Sequence, residues 1–339
     1  MIVGGFFLLI FYAFGNICHY KYVGFEKSNL LLVNNLIYFI NNNNEIISVD
    51  INDLKYNKIG NIPFLNENFF YILSIKDNEL MAISNIGNIY YGSLQNMKFI
   101  GYLSPPIFFP FKLQNDKYAL WNNNSVKIFQ GNKNKEELFL YTNSNILYNQ
   151  IIYPLVINDL IILSDLDGIL YICKDYQIIK EIFLNRIVNK NTNNLQLHSP
   201  NLLNNTIIVS NYNGDVFGIS LKDFSILWKI KNIYTFLDGY CDKNNVYFFD
   251  KNNLLIIVNE DGSFKIKNIG VLKNLKIYRF YIIDKKLIVF TDNKIITIYN
   301  DFKNYTIYKE ITHKYFAPII LDKKMYFINR NGVFVVLDI

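Results

Sequence analysis

The chain has 339 residues, 51% of them hydrophobic and 17% aromatic, with 34 basic against 28 acidic side chains and a formal charge of +6. The basic residues are scattered, with lysines at turn positions such as Lys251, Lys285, Lys286, Lys323 and Lys324, which excludes the one-faced basic footprint of a nucleic-acid binder. Cys18, Cys173 and Cys241 include no Cys-x-x-Cys pair and no neighbouring His set, which excludes a disulfide framework and a zinc site; Cys173 and Cys241 lie in apolar runs and read as buried thiols.

Ile, Tyr, Phe and Val are abundant, and these side chains suit a pleated, half-buried surface. Only 16 Gly and 7 Pro are available for turns, so Asn must serve instead, which its tolerance of the left-handed region allows. Asn41 to Asn44 and Asn122 to Asn124, each flanked by apolar alternation, read as turns.

At the start of the chain, Ile2 to Phe14 is apolar, of signal-peptide length and short for a membrane span. No Lys or Arg precedes it. Residues 1–18 are read as a signal peptide or membrane anchor and 19–339 as the folded domain, exported to the periplasmic side of a cell envelope. Cys18 is a weak lipidation candidate, because Ile17 stands where a lipoprotein signal carries a small residue.

From there the chain repeats. The clearest unit, Ser199 to Ser220, reads as strand, turn, strand, Asn213-Gly214 hairpin, strand. Equivalents of Gly214 occur at Asn44, Gly87, Asn124, Gly168, Asn253, Asn293 and Gly332, spaced by 43, 37, 44, 46, 39, 40 and 39 residues. A mean near 41 is the period of a four-stranded propeller blade. Pro110, Pro154, Pro200 and Pro318 each precede an anchor by 14 residues, a position that suits the start of an edge strand. The expectation is an all-β fold, an eight-bladed β-propeller of four-stranded blades. The chain ends on Val336-Leu337-Asp338-Ile339, one outer strand short, and Tyr20 to Glu26 is the segment expected to complete the last blade and remove its open edge.

The run Asp215 to Trp228 resembles the repeat of pyrroloquinoline-quinone-type propellers, with Trp228 at the family's tryptophan and Asp223-Phe224 in place of its Thr-Gly. Ser199-Pro200 resembles the family's strand start, and Val49-Asp50 and Leu337-Asp338 its Leu-Asp step. Within that group the chain is most similar to the BamB family. That resemblance implies a monomeric periplasmic scaffold that docks on the periplasmic domains of a BamA-like outer-membrane barrel subunit and assists insertion of β-barrel proteins. It also implies membrane association through a lipidated N-terminus.

A quinone-dependent dehydrogenase shares these repeats, but such enzymes carry adjacent cysteines and a calcium-binding carboxylate set. Asp165-Leu166-Asp167-Gly168 begins like a calcium loop and lacks its remaining ligands. His19, His198 and His313 offer no paired-His motif, and no nucleophile elbow or phosphate loop is present. The expectation is a protein that is not an enzyme, with no catalytic residue, metal or cofactor. A general interaction propeller remains the alternative.

The interval from Asn185 to His198 holds the longest anchor spacing, and long loops on a rigid scaffold concentrate binding residues. Leu195-Gln196-Leu197-His198 resembles the BamB family's Leu-x-Leu-basic contact segment, with His198 in place of the usual Arg and Arg186, earlier in the interval, to supply the missing cation. The partner-binding candidates are therefore Leu195, Leu197, His198 and Arg186. The competing reading is that Leu195 and Leu197 begin an inner strand and face the core.

Overall fold

The computed structural model describes residues 17–22, 28–63, 70–76, 78–84, 86–102, 107–112, 117–122, 125–130, 133–139, 154–165, 167–175, 177–184, 197–299, 302–309 and 317–339. Among them the strands form eight four-stranded antiparallel sheets, and the one helical element is the short 3-10 turn Gly270–Leu272. Sheets one to seven are each a run of consecutive strands, spanning 31–61, 70–102, 107–139, 155–183, 201–230, 240–268 and 277–308. Sheet eight joins 319–338 to the strand Ile17–Tyr22 from the other end of the chain.

Where side chains are described, the second and third strands are close to continuous apolar runs, because both faces are covered. In sheet one, Ile37 and Phe39 pack with Tyr326, Ile328, Phe334 and Val336 of sheet eight, while the alternate residues Tyr38 and Ile40 pack with Leu80, Ala82 and Tyr90 of sheet two. The two-residue period of a strand thus feeds two separate cores. The same sharing links sheets four and five, five and six, six and seven, and seven and eight. Each fully buried Phe or Ile in these seams contributes roughly 1.5–3 kcal/mol of burial. First strands of neighbouring sheets also approach one another, Leu31–Val33 with Phe70–Lys76 and Asn201–Leu203 with Tyr240–Cys241 among them, so they form the inner side of the assembly.

The repeat anchors fall in the hairpins between second and third strands. Asn44, Gly87, Gly168, Gly214, Asn253 and Gly332 all have positive φ, as a tight reversal requires. Asn124 lies outside the described residues, and Asn293 does not show a positive φ. Eight asparagines in total adopt positive φ among the described residues, so Asn does take over glycine's work.

In sheets one, two, four, five, six and eight the hairpin is fastened by a polar residue three positions before its anchor, whereas sheet seven has Phe290 there. Asn44 donates its amide to the carbonyl of Asn41 at 3.0 Å, Gly214 to Asn211 at 3.3 Å and Gly332 to Asn329 at 2.9 Å. The side-chain oxygen of the same residue then accepts the amides two and four positions on. Asn41 accepts from Asn43 and Glu45, Asp165 from Asp167 and Ile169, Asp250 from Asn252 and Leu254, and Asn329 from Asn331 and Val333. These are Asx turns closed on both sides. Asn41 and Asp165 are buried there, and the hydrogen bonds offset the cost of that burial.

Pro154, Pro200 and Pro318 stand immediately before the first strands Leu155–Ile157, Asn201–Leu203 and Ile319–Leu321, whereas Pro110 lies inside Ile107–Lys112 at a register shift. All four positions spare the ladder a missing donor.

The strand that completes sheet eight is displaced from its expected place. It is Ile17–Tyr22, which begins three residues before the expected Tyr20 to Glu26 and shares residues 20–22 with it, and it pairs Ile17 with Leu337, Cys18 with Val336, His19 with Val335 and Tyr22 with Val333. The division of the chain at residue 18 falls inside it. Its start was hidden because the apolar run at the head of the chain reads as one continuous leader. Residues 23–27 lie outside the described part.

Sheets five and six are additionally clasped at their outer side. Trp228, in the outermost strand Ile226–Ile230, donates its indole N–H to the carbonyl of Glu260 at 2.8 Å. The Glu260 carboxylate in turn accepts from the Asn204 side chain at 2.7 Å and from the Asn205 amide and the Thr206 hydroxyl, both at 3.3 Å.

Candidate interaction site

The connection into sheet five arrives at the end of the molecule that carries the Asx hairpins. Leu197 donates its amide to the carbonyl of Asp165 in sheet four at 3.0 Å and bridges to Asn211, and His198 donates its amide to Ser210 at 2.8 Å. These bonds hold the chain flat against two hairpins before Pro200 turns it into the inner strand. Leu197 is fully buried in the core shared by sheets four and five. It therefore faces inward, as the competing reading had it, and is not an exposed apolar anchor. Leu195 and Arg186 lie outside the described residues.

His198 is also buried, at 4% exposure. Its ring lies against Tyr212 of the sheet-five hairpin, with centroids 4.3 Å apart, and Nδ1 is 3.6 Å from the Asp238 carboxylate. Asp238, just ahead of sheet six, accepts the Ser199 amide at 2.8 Å. Burial, with the Asp238 charge adding to it, raises the Tyr212 phenol well above its ordinary range. Nε2 of His198 is buried and has no hydrogen-bond partner among the described residues. The imidazole expected to face a partner is thus built into the seam between sheets five and six.

The acidic turn read against a calcium loop has a defined role. Asp165 accepts two backbone amides, at 2.9 and 2.7 Å, and the Tyr171 hydroxyl at 3.1 Å. Burial is the main reason its carboxyl is pushed up to about 6. Among the described residues no group of three His, Cys, Asp or Glu side chains gathers around a common point. Burial pushes the Cys173 thiol up to about 12 and the Cys241 thiol to about 11, so neither supplies thiolate at neutral pH. Of Cys18 only the backbone pairing is described.

What sequence reasoning missed is the outer face. Large exposed apolar side chains gather on fourth strands, including Phe183, Ile226, Leu227, Phe264, Ile266 and Ile307. The alternation of Phe264-Lys265-Ile266-Lys267 was the available signal.

Four-stranded antiparallel sheets sharing cores with their neighbours, with first strands of adjacent sheets side by side, define a β-propeller-type protein. Solved structures of that kind are similar to this chain over almost its whole length. BamB from Moraxella catarrhalis matches with a TM-score of 0.68 at 9% identity, covering 96% of this chain and 98% of that one. Sqt1 from Saccharomyces cerevisiae matches with a TM-score of 0.68 at 11% identity, covering 95% and 98%. The computationally designed Ika8 protein matches with a TM-score of 0.66 at 9% identity, covering 93% and 100%. At such identities the likeness is one of fold. No protein-family model and no curated protein matches the chain. No helix among the described residues is long and apolar enough to cross a membrane.

Proposed function

We propose that the eight sheets close into a single eight-bladed ring that serves as a non-catalytic scaffold on the periplasmic side of a cell envelope. In this reading the ring is a BamB-like subunit that binds a BamA-like barrel protein and assists assembly of outer-membrane β-barrels. The observation that carries it is the end-to-end correspondence with BamB, 96% of one chain against 98% of the other, in a chain that begins with an apolar leader-like stretch. The pairing of Ile17–Tyr22 with Val333–Asp338 and the shared core of sheets eight and one support closure. The polar residues of the described hairpins are spent on their own turns, which favours a rigid platform over a reaction centre.

The fold is shared equally with Sqt1, and the second reading is a general interaction propeller outside the envelope. Fractionation of the native host with the chain tagged at its C-terminus separates the two. Recovery with the envelope, together with co-purification of an outer-membrane barrel subunit, is the expected result. Recovery in the cytosol removes the BamB-like role and leaves the general scaffold.

A further inference from the structure

Phe264–Asn268 is the outermost strand of sheet six, paired on one side with Leu254–Val258 and bonded to no other strand among the described residues. All five of its residues are exposed, whereas the corresponding strands of sheets one, four, five and seven each bury or half-bury at least one. Its register gives it two distinct faces. Phe264 and Ile266 stand opposite Val258 and Ile256, whose side chains enter the core between sheets five and six. Lys265 and Lys267 stand opposite Ile257 and Leu255, on the side that faces sheet seven. Phe264 is 43% and Ile266 54% exposed, so one face of this edge presents two large apolar side chains.

The charge on this edge is not neutralised by its own segment. From Gly262 to Ile283 the chain carries Lys265, Lys267, Lys273, Lys276 and Arg279 and no Asp or Glu. The two acids just before it are already engaged, Glu260 with Asn204, Asn205 and Thr206, and Asp261 with Ser263. Lysines on a free edge discourage pairing with a second copy of the same strand, since like charges would then meet. They do not discourage a strand of opposite charge.

We propose that the free edge of Phe264–Asn268 takes up an extended partner segment that alternates apolar and acidic residues. The segment adds as a fifth strand, its apolar side chains beside Phe264 and Ile266 and its carboxylates beside Lys265 and Lys267. Main-chain bonds to the open edge supply affinity, and the period-two match of side chains supplies selectivity. This site is independent of the compartment proposed above.

The test is a titration of the full chain into a fluorescent peptide alternating valine and glutamate, followed by anisotropy, with amide hydrogen exchange to locate the bound strand. Expected results are saturable binding, slowed exchange within Phe264–Asn268, and about tenfold or greater weakening in the Lys265→Glu, Lys267→Glu variant. Both lysines are exposed, so that variant should melt with the parent; if it does not, Lys265→Gln, Lys267→Gln replaces it and should weaken binding in the same direction. A peptide with the same residues in two blocks should bind far less. Absence of binding, protection at another strand, unchanged affinity in the lysine variants, or equal binding of a valine–lysine peptide overturns the proposal. So does displacement of the peptide's role by anionic phosphatidylglycerol vesicles, seen as vesicle binding that protects this edge while the peptide does not.

Discussion

The indole of Trp228 lies directly over Gly218: a Cβ built on Gly218 would fall 2.1 Å from Trp228 Cε2. These residues face each other across the last two strands of sheet five, and the absence of a side chain at one lets the other lie flat and reach Glu260 in sheet six. Gly218→Ala should therefore lift the indole, weaken the clasp between the sheets and cost about 1–3 kcal/mol by overpacking. Denaturant unfolding of the single variant and of Gly218→Ala combined with Trp228→Leu checks this. The second change should cost less in the alanine background than alone.

The Asx turn of sheet four makes stability depend on pH. The Asp165 carboxyl is pushed up to about 6, chiefly by burial, above the value near 3.9 of an unfolded chain. The native state thus holds this proton more tightly, so its contribution is most favourable in acid and is lost as pH rises from about 4 through about 6. Above that window an ionised, buried carboxylate is carried at a cost on the order of 3 kcal/mol. Asn41, Asn211 and Asn329 do the same work in other sheets without charge. Asp165→Asn should raise the melting temperature by a few degrees at pH 7.5 and bring no gain at pH 4. A thermal melt series across that range reads both arms.

Truncation tests the strand that completes sheet eight. Removing residues 1–16 should leave the melting temperature nearly unchanged, whereas removing 1–22 takes away the partner of Val333–Asp338 and exposes its edge. The longer deletion should lower stability by several kcal/mol, a large fraction of a domain's total. Equal melts for the two forms would show that Ile17–Tyr22 does not hold the sheet.

Burial of Leu197 gives a further expectation. Leu197→Ala should cost about 2–5 kcal/mol through the cavity it leaves. Leu197→Asp should prevent folding, seen as loss of the cooperative unfolding transition. A variant that melts normally and loses only a binding partner would instead restore Leu197 to the surface.

The fold was legible where function of a residue is local. A tight reversal needs φ > 0, only Gly and Asn meet that cheaply, and so the spacing of Gly87, Gly214 and Asn253 marked the hairpins. Phe224 shows the limit of the rule: it occupies φ 59°, at the place where the resembled repeat has glycine, and packs against the core of sheets four and five. Burial was less legible wherever it depends on a neighbouring sheet. Leu197, His198 and Asp165 carry ordinary local signals of a surface connection, and only the adjacent hairpins put them inside. First strands such as Leu31–Val33 and Ile319–Leu321 have three residues each, too few for alternation to declare a face. The clasp of Trp228 by Glu260 spans two repeats, and no single repeat contains it.

Pairing the chain's first strand with its last also orders events during synthesis. Sheets one to seven are made of neighbours in sequence and can each form as they leave the ribosome, but sheet eight has nothing to close on until Val333–Asp338 exists. Ile17–Tyr22 must wait through the production of nearly the whole polypeptide with its backbone donors and acceptors bonded to water and not to a partner strand. Joining ends so far apart is slow more than it is costly, because loop-closure entropy grows only with the logarithm of length while the rate suffers from the search. Moving that strand behind Ile339 by circular permutation would turn the last step into a local one and shorten the interval during which an emerging chain shows an open edge.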